Sequence, residues 1–176
     1  MIASQKIGKS FMGALNYNLR KVNHPDASKR AKLLDTNFDC TTLSEVKKEV
    51  DLLRELRPNL SRYVYHTSLN LAMEDMVVLS NEKLLAITHD YLEANGFDNN
   101  QYFIFRHFDA GHPHLHLLVN RIRFDGSVVS DSNNYKKSED ILRELESRYK
   151  LTTVAPSKEV KQRAAKKDEI EMASVY

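Results

Sequence analysis

Four of the seven histidines in this 176-residue chain fall within ten consecutive positions, in the stretch HFDAGHPHLHLLVN at residues 107–120. Three of them, His107, His114 and His116, follow the pattern H, six residues, H, one residue, H. Imidazole is the commonest neutral metal ligand, and three imidazoles with an open position describe a catalytic metal site rather than a structural one. By softness such a set favours zinc, nickel or manganese, whereas magnesium prefers oxygen ligands. The fourth histidine, His112, sits in a turn beside Pro113 and is not counted as a ligand. Asp109 in the same turn has three readings: an ordinary turn residue, a partner fixing an imidazole tautomer, or a proton acceptor.

Two strands must position this cluster. Alternation along HLHLLVNRIRF puts His114 and His116 on one face and Leu115 and Leu117 on the other. The short connection DAGHP makes that strand the antiparallel partner of QYFIFRHF, which brings His107 beside the other two. Asp125-Gly126 then signals a turn into SVVS. Upstream, LSRYVYHTSLNL reads as another strand and AKLLDTNF as a short extended segment. Helices are expected at 10–22 with Ser10 as N-cap, and at 42–56 with Thr42 and Glu45 at capping-box spacing and Pro58 as the stop. A third runs from Ser80 to Asn95-Gly96, and a fourth, SEDILRELESRY, has Ser138 as its cap. Strands and helices intermix with antiparallel hairpins, so the fold class is α+β. One domain is expected over 1–155, followed by a charged helical tail or the start of a further region over 156–176.

Composition narrows the partners. Apolar content of 41% and charged content of 28% are those of a globular protein, and no apolar run approaches the ~20 residues that span a bilayer. The single cysteine, Cys40, cannot form an internal disulfide, which fits a reducing cytoplasm. Net charge is only +2, yet residues 1–32 carry seven lysines and arginines against Asp26 alone, while residues 71–100 carry six acidic residues against Lys83 alone. Such a layout suits a protein that presents one face to a polyanion and keeps another away from it, and equally one with two solvated faces of opposite sign.

The histidine stretch resembles the third motif of the conjugative relaxases, the plasmid mobilisation nucleases of the HUH endonuclease superfamily. That motif runs H-x-D-x4-H-x-H followed by an Asn-Arg pair, matched here by His107, Asp109, His114, His116, Asn120 and Arg121. YHTSLN with Ser68 resembles the family's serine motif, and SFMGALNYNLRK with Tyr17 its tyrosine motif, in the family's order over residues 8–124. Helical geometry gives Tyr17 independent weight. At ~100° per residue it lies about 180° from the centre of the stripe formed by Met12, Leu15, Leu19 and Val22, where a packing tyrosine would not sit. Of the other tyrosines, Tyr63 and Tyr65 share a strand face with Leu69, Tyr91 and Tyr149 lie in helix stripes, and Tyr135 is in a loop.

The resemblance implies a central antiparallel sheet with packed helices and a single-tyrosine DNA nickase using Mn2+ or Mg2+, one ion per site. Tyr17 would attack single-stranded DNA at a transfer origin and become a 5′-phosphotyrosine. His107, His114 and His116 would hold the ion, and manganese should bind more tightly than magnesium. Ser68 and Asn120 would position tyrosine or phosphate, while Arg121, Lys9, Arg20 and Lys21 would hold the DNA backbone. Accessory mobilisation proteins and a coupling ATPase are the partners implied. A rolling-circle replication initiator, a metallohydrolase without a covalent intermediate and a non-catalytic single-strand-binding module remain alternatives.

Overall fold

The computed structural model describes residues 1–132 and 135–155, and the tail expected at 156–176 lies outside them. The elements in chain order are β1 (Ile2–Gly8), α1 (Phe11–Val22), β2 (Ala31–Thr36), α2 (Leu43–Glu55), β3 (Val64–Asn70), α3 (Asn81–Ala94), β4 (Asn100–His107), β5 (His114–Arg123) and α4 (Tyr135–Arg148). The five strands form one sheet in the order β1-β3-β5-β4-β2 with every pairing antiparallel. This is the expected α+β architecture.

Period-2 alternation sorts the side chains into two cores. Tyr65 and Leu69 of β3, Ile104 of β4, and Leu115, Leu117 and Val119 of β5 pack under α3 and α4. On the other face Val64, Phe103, Phe105, Leu118 and Ile122 pack under α1 and α2, through Phe11, Leu15, Val46, Val50 and Leu53. At ~25 cal/mol per Å2 of apolar surface removed from water, these two layers are the main favourable term holding the sheet. They also decide where the histidines point. His114 and His116 share their face of β5 with Leu118 and Ile122, so they lie on the α1 side.

Ser10 caps α1 through the Gly13 N–H at 3.0 Å, and Ser80 caps α3 through the Lys83 N–H at 3.1 Å. Gly96, at φ +85°, takes the left-handed position just past α3 that disfavours any side chain. Other expectations need correction. Thr42 makes no side-chain cap bond, because its hydroxyl faces the Cys40 sulfur at 3.5 Å and Glu45 instead pairs with Lys48. α4 begins at Tyr135, so Ser138 is an interior helix residue whose buried hydroxyl accepts from Gln5 Nε2 at 2.8 Å. The Asp125-Gly126 turn forms, but the segment after it contributes only the single bridge Ile122–Val128. Tyr63 packs on the α1 side, where its hydroxyl accepts from the Phe11 N–H, while Tyr65 faces α3 and meets Tyr91 at 3.0 Å. β1 was not expected at all. Its Ser4, Gln5 and Lys6 weaken the apolar signal, and it is an edge strand paired only to β3.

Two motif residues turn out to be internal. Asn120 is fully buried, donates to Gln101 Oε1 at 3.0 Å and accepts from the Ile122 N–H at 3.0 Å. Arg121 is 3% exposed, donates from Nε to the Val129 carbonyl at 2.9 Å and from its guanidinium to the Arg62 carbonyl, and meets Asp131 at 3.3 Å. Neither side chain is free, so Arg121 is not placed to hold the DNA backbone nor Asn120 to position tyrosine or phosphate, which corrects both expectations. Removing either leaves buried partners unsatisfied at about 1–3 kcal/mol. Asn120→Ala and Arg121→Ala should therefore each lower the melting temperature by roughly 4–10 °C, with Arg20→Ala leaving it unchanged within about 2 °C. Thermal melts of the three variants check this.

Candidate metal centre and nucleophile

Register brings the three histidines together. His107, the last residue of β4, is the direct partner of His114, and His116 lies opposite Phe105. On the other side of β5, Ser68 is opposite His116 and Asn70 opposite His114. One ligating nitrogen from each of His107, His114 and His116 falls within 4.8 Å of the others. The His107 and His116 rings stack at 3.9 Å between centroids, and His114 stands 5.4 Å and 5.5 Å from them. The three expected metal residues thus form one cluster, mostly buried.

The hydrogen-bond network assigns which nitrogen each ring has to offer. Asn18 of α1 is fully buried, and its amide nitrogen donates to the Ala14 carbonyl at 2.9 Å. Its oxygen therefore faces His107 Nε2, at 2.9 Å, and must accept from it. That puts the His107 proton on Nε2 and leaves the Nδ1 lone pair free. His114 Nδ1 donates to the His112 carbonyl at 3.4 Å, leaving Nε2 free. His116 Nδ1 is engaged by His66 Nε2 at 3.3 Å, again leaving Nε2. Asp109 Oδ1 lies 3.3 Å from His114 Nε2 and 4.0 Å from His107 Nδ1. With the rings neutral neither approach is an ion pair; the Asp109 carboxylate faces the same point as His114 Nε2 and, farther off, His107 Nδ1.

Burial keeps the rings neutral. It pushes His107 down to about 4, aided by the neighbouring His114, and His116 down to about 3, aided by His107 and His66. His114 is lowered too, chiefly by burial, although the His112 carbonyl and Asp109 oppose the shift. A converging set of acceptors is what a divalent cation requires, so these residues fit a metal by their own chemistry.

α1 places the remaining groups. Tyr17 is 47% exposed, and its ring centroid lies 6.3 Å from that of His116. Lys21, one helical turn later, holds Asp109 Oδ2 at 2.8 Å. Burial works against the Asp109 charge, but the Lys21 ammonium outweighs it and holds the carboxyl below its ordinary pKa. Asp109 is thereby a better anchor than base. Ser68 is half-buried opposite His116, and its hydroxyl accepts from Asn70 Nδ2 at 3.2 Å. Asn70 Oδ1 in turn accepts from His112 Nε2 at 3.0 Å, so His112 braces the turn from outside the triad. Lys9 and Arg20 are exposed, Lys9 just before α1 and Arg20 on it. Asn120 and Arg121 lie four and five residues past His116, about 13–16 Å along the strand. Sequence reading missed Asn18, His66 and Asn70. Asn18 alone carried a signal, as a polar residue at a buried position of the helix wheel.

The neutral triad has a stability consequence. A histidine whose folded pKa lies below its unfolded value of about 6.5 binds fewer protons folded than unfolded. The metal-free domain should therefore lose stability as pH falls from about 6.5 towards 4, by up to ~1.4 kcal/mol per pH unit per group. The paired substitutions His107→Asn and His116→Asn should flatten that decline in melts run with chelator. An unchanged slope would contradict the assignment.

Over residues 17–151 the chain matches the family described as relaxase, MobA/VirD2-like, nuclease domain. Among solved structures it is similar to the relaxase domain of MobM (MOBV; Mob_Pre), a Mn-bound crystal structure with plasmid pMV158 oriT DNA. The TM-score is 0.58 at 15% identity, covering 93% of this chain and 99% of that one, a likeness of fold. No curated protein matches at a significant level. With the family match spanning most of its length, the chain belongs to the relaxases, as a nuclease domain of the MobA/VirD2-like type.

Proposed function

We propose that the domain over 1–155 nicks one DNA strand at a plasmid transfer origin, with Tyr17 as the nucleophile. The observation that carries this reading is the placement of an exposed phenol against His116, on the same side as three converging ring nitrogens. A divalent ion held by His107, His114 and His116 would supply charge neutralisation at a non-bridging oxygen of the scissile phosphate. The Tyr17 oxygen forms a bond to phosphorus as the bond to the 3′-oxygen breaks. The phenol proton passes to solvent at this exposed position, and the departing 3′-oxygen takes up a proton. The product is a 5′-phosphotyrosine, which keeps the phosphodiester energy for a later rejoining.

The other side chains hold this arrangement. Lys21 ties α1 to Asp109, so the helix bearing Tyr17 keeps its distance from the histidines. The Ser68 hydroxyl accepts from Asn70 and retains its own proton to donate to a phosphate oxygen. Lys9 and Arg20 supply phosphate contacts without sequence information. Manganese suits three imidazoles better than magnesium does, and the MobM relaxase domain, with the same fold, is Mn-bound and carries oriT DNA. In this role the substrate is single-stranded DNA, accessory mobilisation proteins and a coupling ATPase are the expected partners, and the cytoplasm is the place of action. None of the described helices is long and apolar enough to cross a membrane.

Covalent capture tests the reading. The chain is incubated with manganese and single-stranded oligonucleotides carrying candidate transfer origins, then resolved in SDS. An SDS-stable adduct that disappears in Tyr17→Phe and falls at least roughly 100-fold in His114→Ala is expected, since a nucleophile and a charge-neutralising ion each supply several kcal/mol. Metal-dependent cleavage with no adduct, undiminished in Tyr17→Phe, would replace the tyrosine with water as the nucleophile.

A further inference from the structure

His66 stands outside the triad, half-buried on β3 and facing the same side of the sheet as Ser68. Its Nε2 lies 3.3 Å from His116 Nδ1, with the ring centroids 5.4 Å apart and the planes at 50°. Proton placement between the two rings follows from what His116 must do. A neutral imidazole that turns an Nε2 lone pair towards an ion carries its proton on Nδ1, and that proton needs an acceptor. His66 Nε2 is at the right distance to be that acceptor, which requires His66 to carry its own proton on Nδ1. Lys6 is the direct cross-strand partner of His66 on β1, and an ammonium there favours an uncharged ring.

We propose that His66 is a positioning residue of the metal centre, accepting the Nδ1–H of His116 and fixing the tautomer that presents Nε2 to the ion. It does for His116 what the Asn18 oxygen does for His107 and the His112 carbonyl for His114. The inference rests on the metal reading of the triad. With it, all three ligands have a defined partner: a side chain on α1, a backbone carbonyl of the turn and a side chain on β3.

The test uses the full chain and its His66→Leu and His66→Gln variants. Manganese affinity is read by calorimetric and paramagnetic-resonance titration, and imidazole tautomers by nitrogen-15 NMR on the metal-free protein. His66→Leu should weaken manganese binding roughly 10–100-fold and leave His116 as a mixture of tautomers. His66→Gln, whose amide oxygen can accept the same proton, should restore most of the affinity. Wild-type affinity in His66→Leu, or equal losses in both variants, would overturn the proposal by reducing His66 to a space-filling role. A wild-type His116 protonated on Nε2 would overturn it without any variant. If the wild-type chain binds no manganese, the metal reading itself fails and takes this inference with it.

Discussion

The convergence of three imidazoles and one carboxylate on a single point is the constraint around which this site is organised. His107 Nδ1, His114 Nε2 and Asp109 Oδ1 approach one another within 3.3 to 4.0 Å at the carboxylate, and His116 joins the same cluster. Each ring is kept neutral by burial and has its other nitrogen occupied. Burying three imidazoles beside a carboxylate costs desolvation energy, which Lys21 offsets at Asp109. The two hydrophobic layers, together with the β4–β5 register, hold the groups there regardless. The proposed ion would offset that cost, so under the proposed function metal affinity follows from the packing of the sheet.

α1 connects this centre to the proposed nucleophile, Tyr17. Within five residues it carries Tyr17 beside His116, Asn18 against His107 Nε2, and Lys21 on Asp109. Tyr17 and Lys21 are one turn apart and share a side of the helix, while Asn18 turns inward. The helix is fixed at its start by the Ser10 cap and by Phe11 and Leu15 in the core. A shift of α1 would move Tyr17, the Asn18 contact to His107 and the Lys21 contact to Asp109 together. Catalytic geometry at the 1 Å level is kept by elements of this kind rather than by any one bond.

The sequence made the triad legible because strand alternation is a strict period and histidine chemistry is distinctive. His114, His116 and, through a short turn, His107 could be brought together on those grounds alone. The exposure of Tyr17 was legible through its position opposite the apolar stripe of α1. His66 and Asn70 were not, and Asn18 showed only as a polar residue on the buried side of α1. The part each plays lies in side-chain hydrogen bonds, for which an asparagine or histidine has no pattern of its own in the chain. Asn120 and Arg121 misled in the opposite way. They continue the histidine motif along β5, but the strand carries them into the interior, where they satisfy Gln101, Ile122, Val129 and Asp131. The strand order also lay beyond reach, because β1 is polar and its partner β3 lies more than 50 residues downstream.

The most direct measurement of the central claim is anomalous diffraction from crystals of the metal-free protein soaked in manganese. One strong peak per chain is expected, facing His107 Nδ1 and the Nε2 atoms of His114 and His116, with Asp109 beside it. A peak bound through the opposite ring nitrogens, or no peak among these residues, would contradict the account.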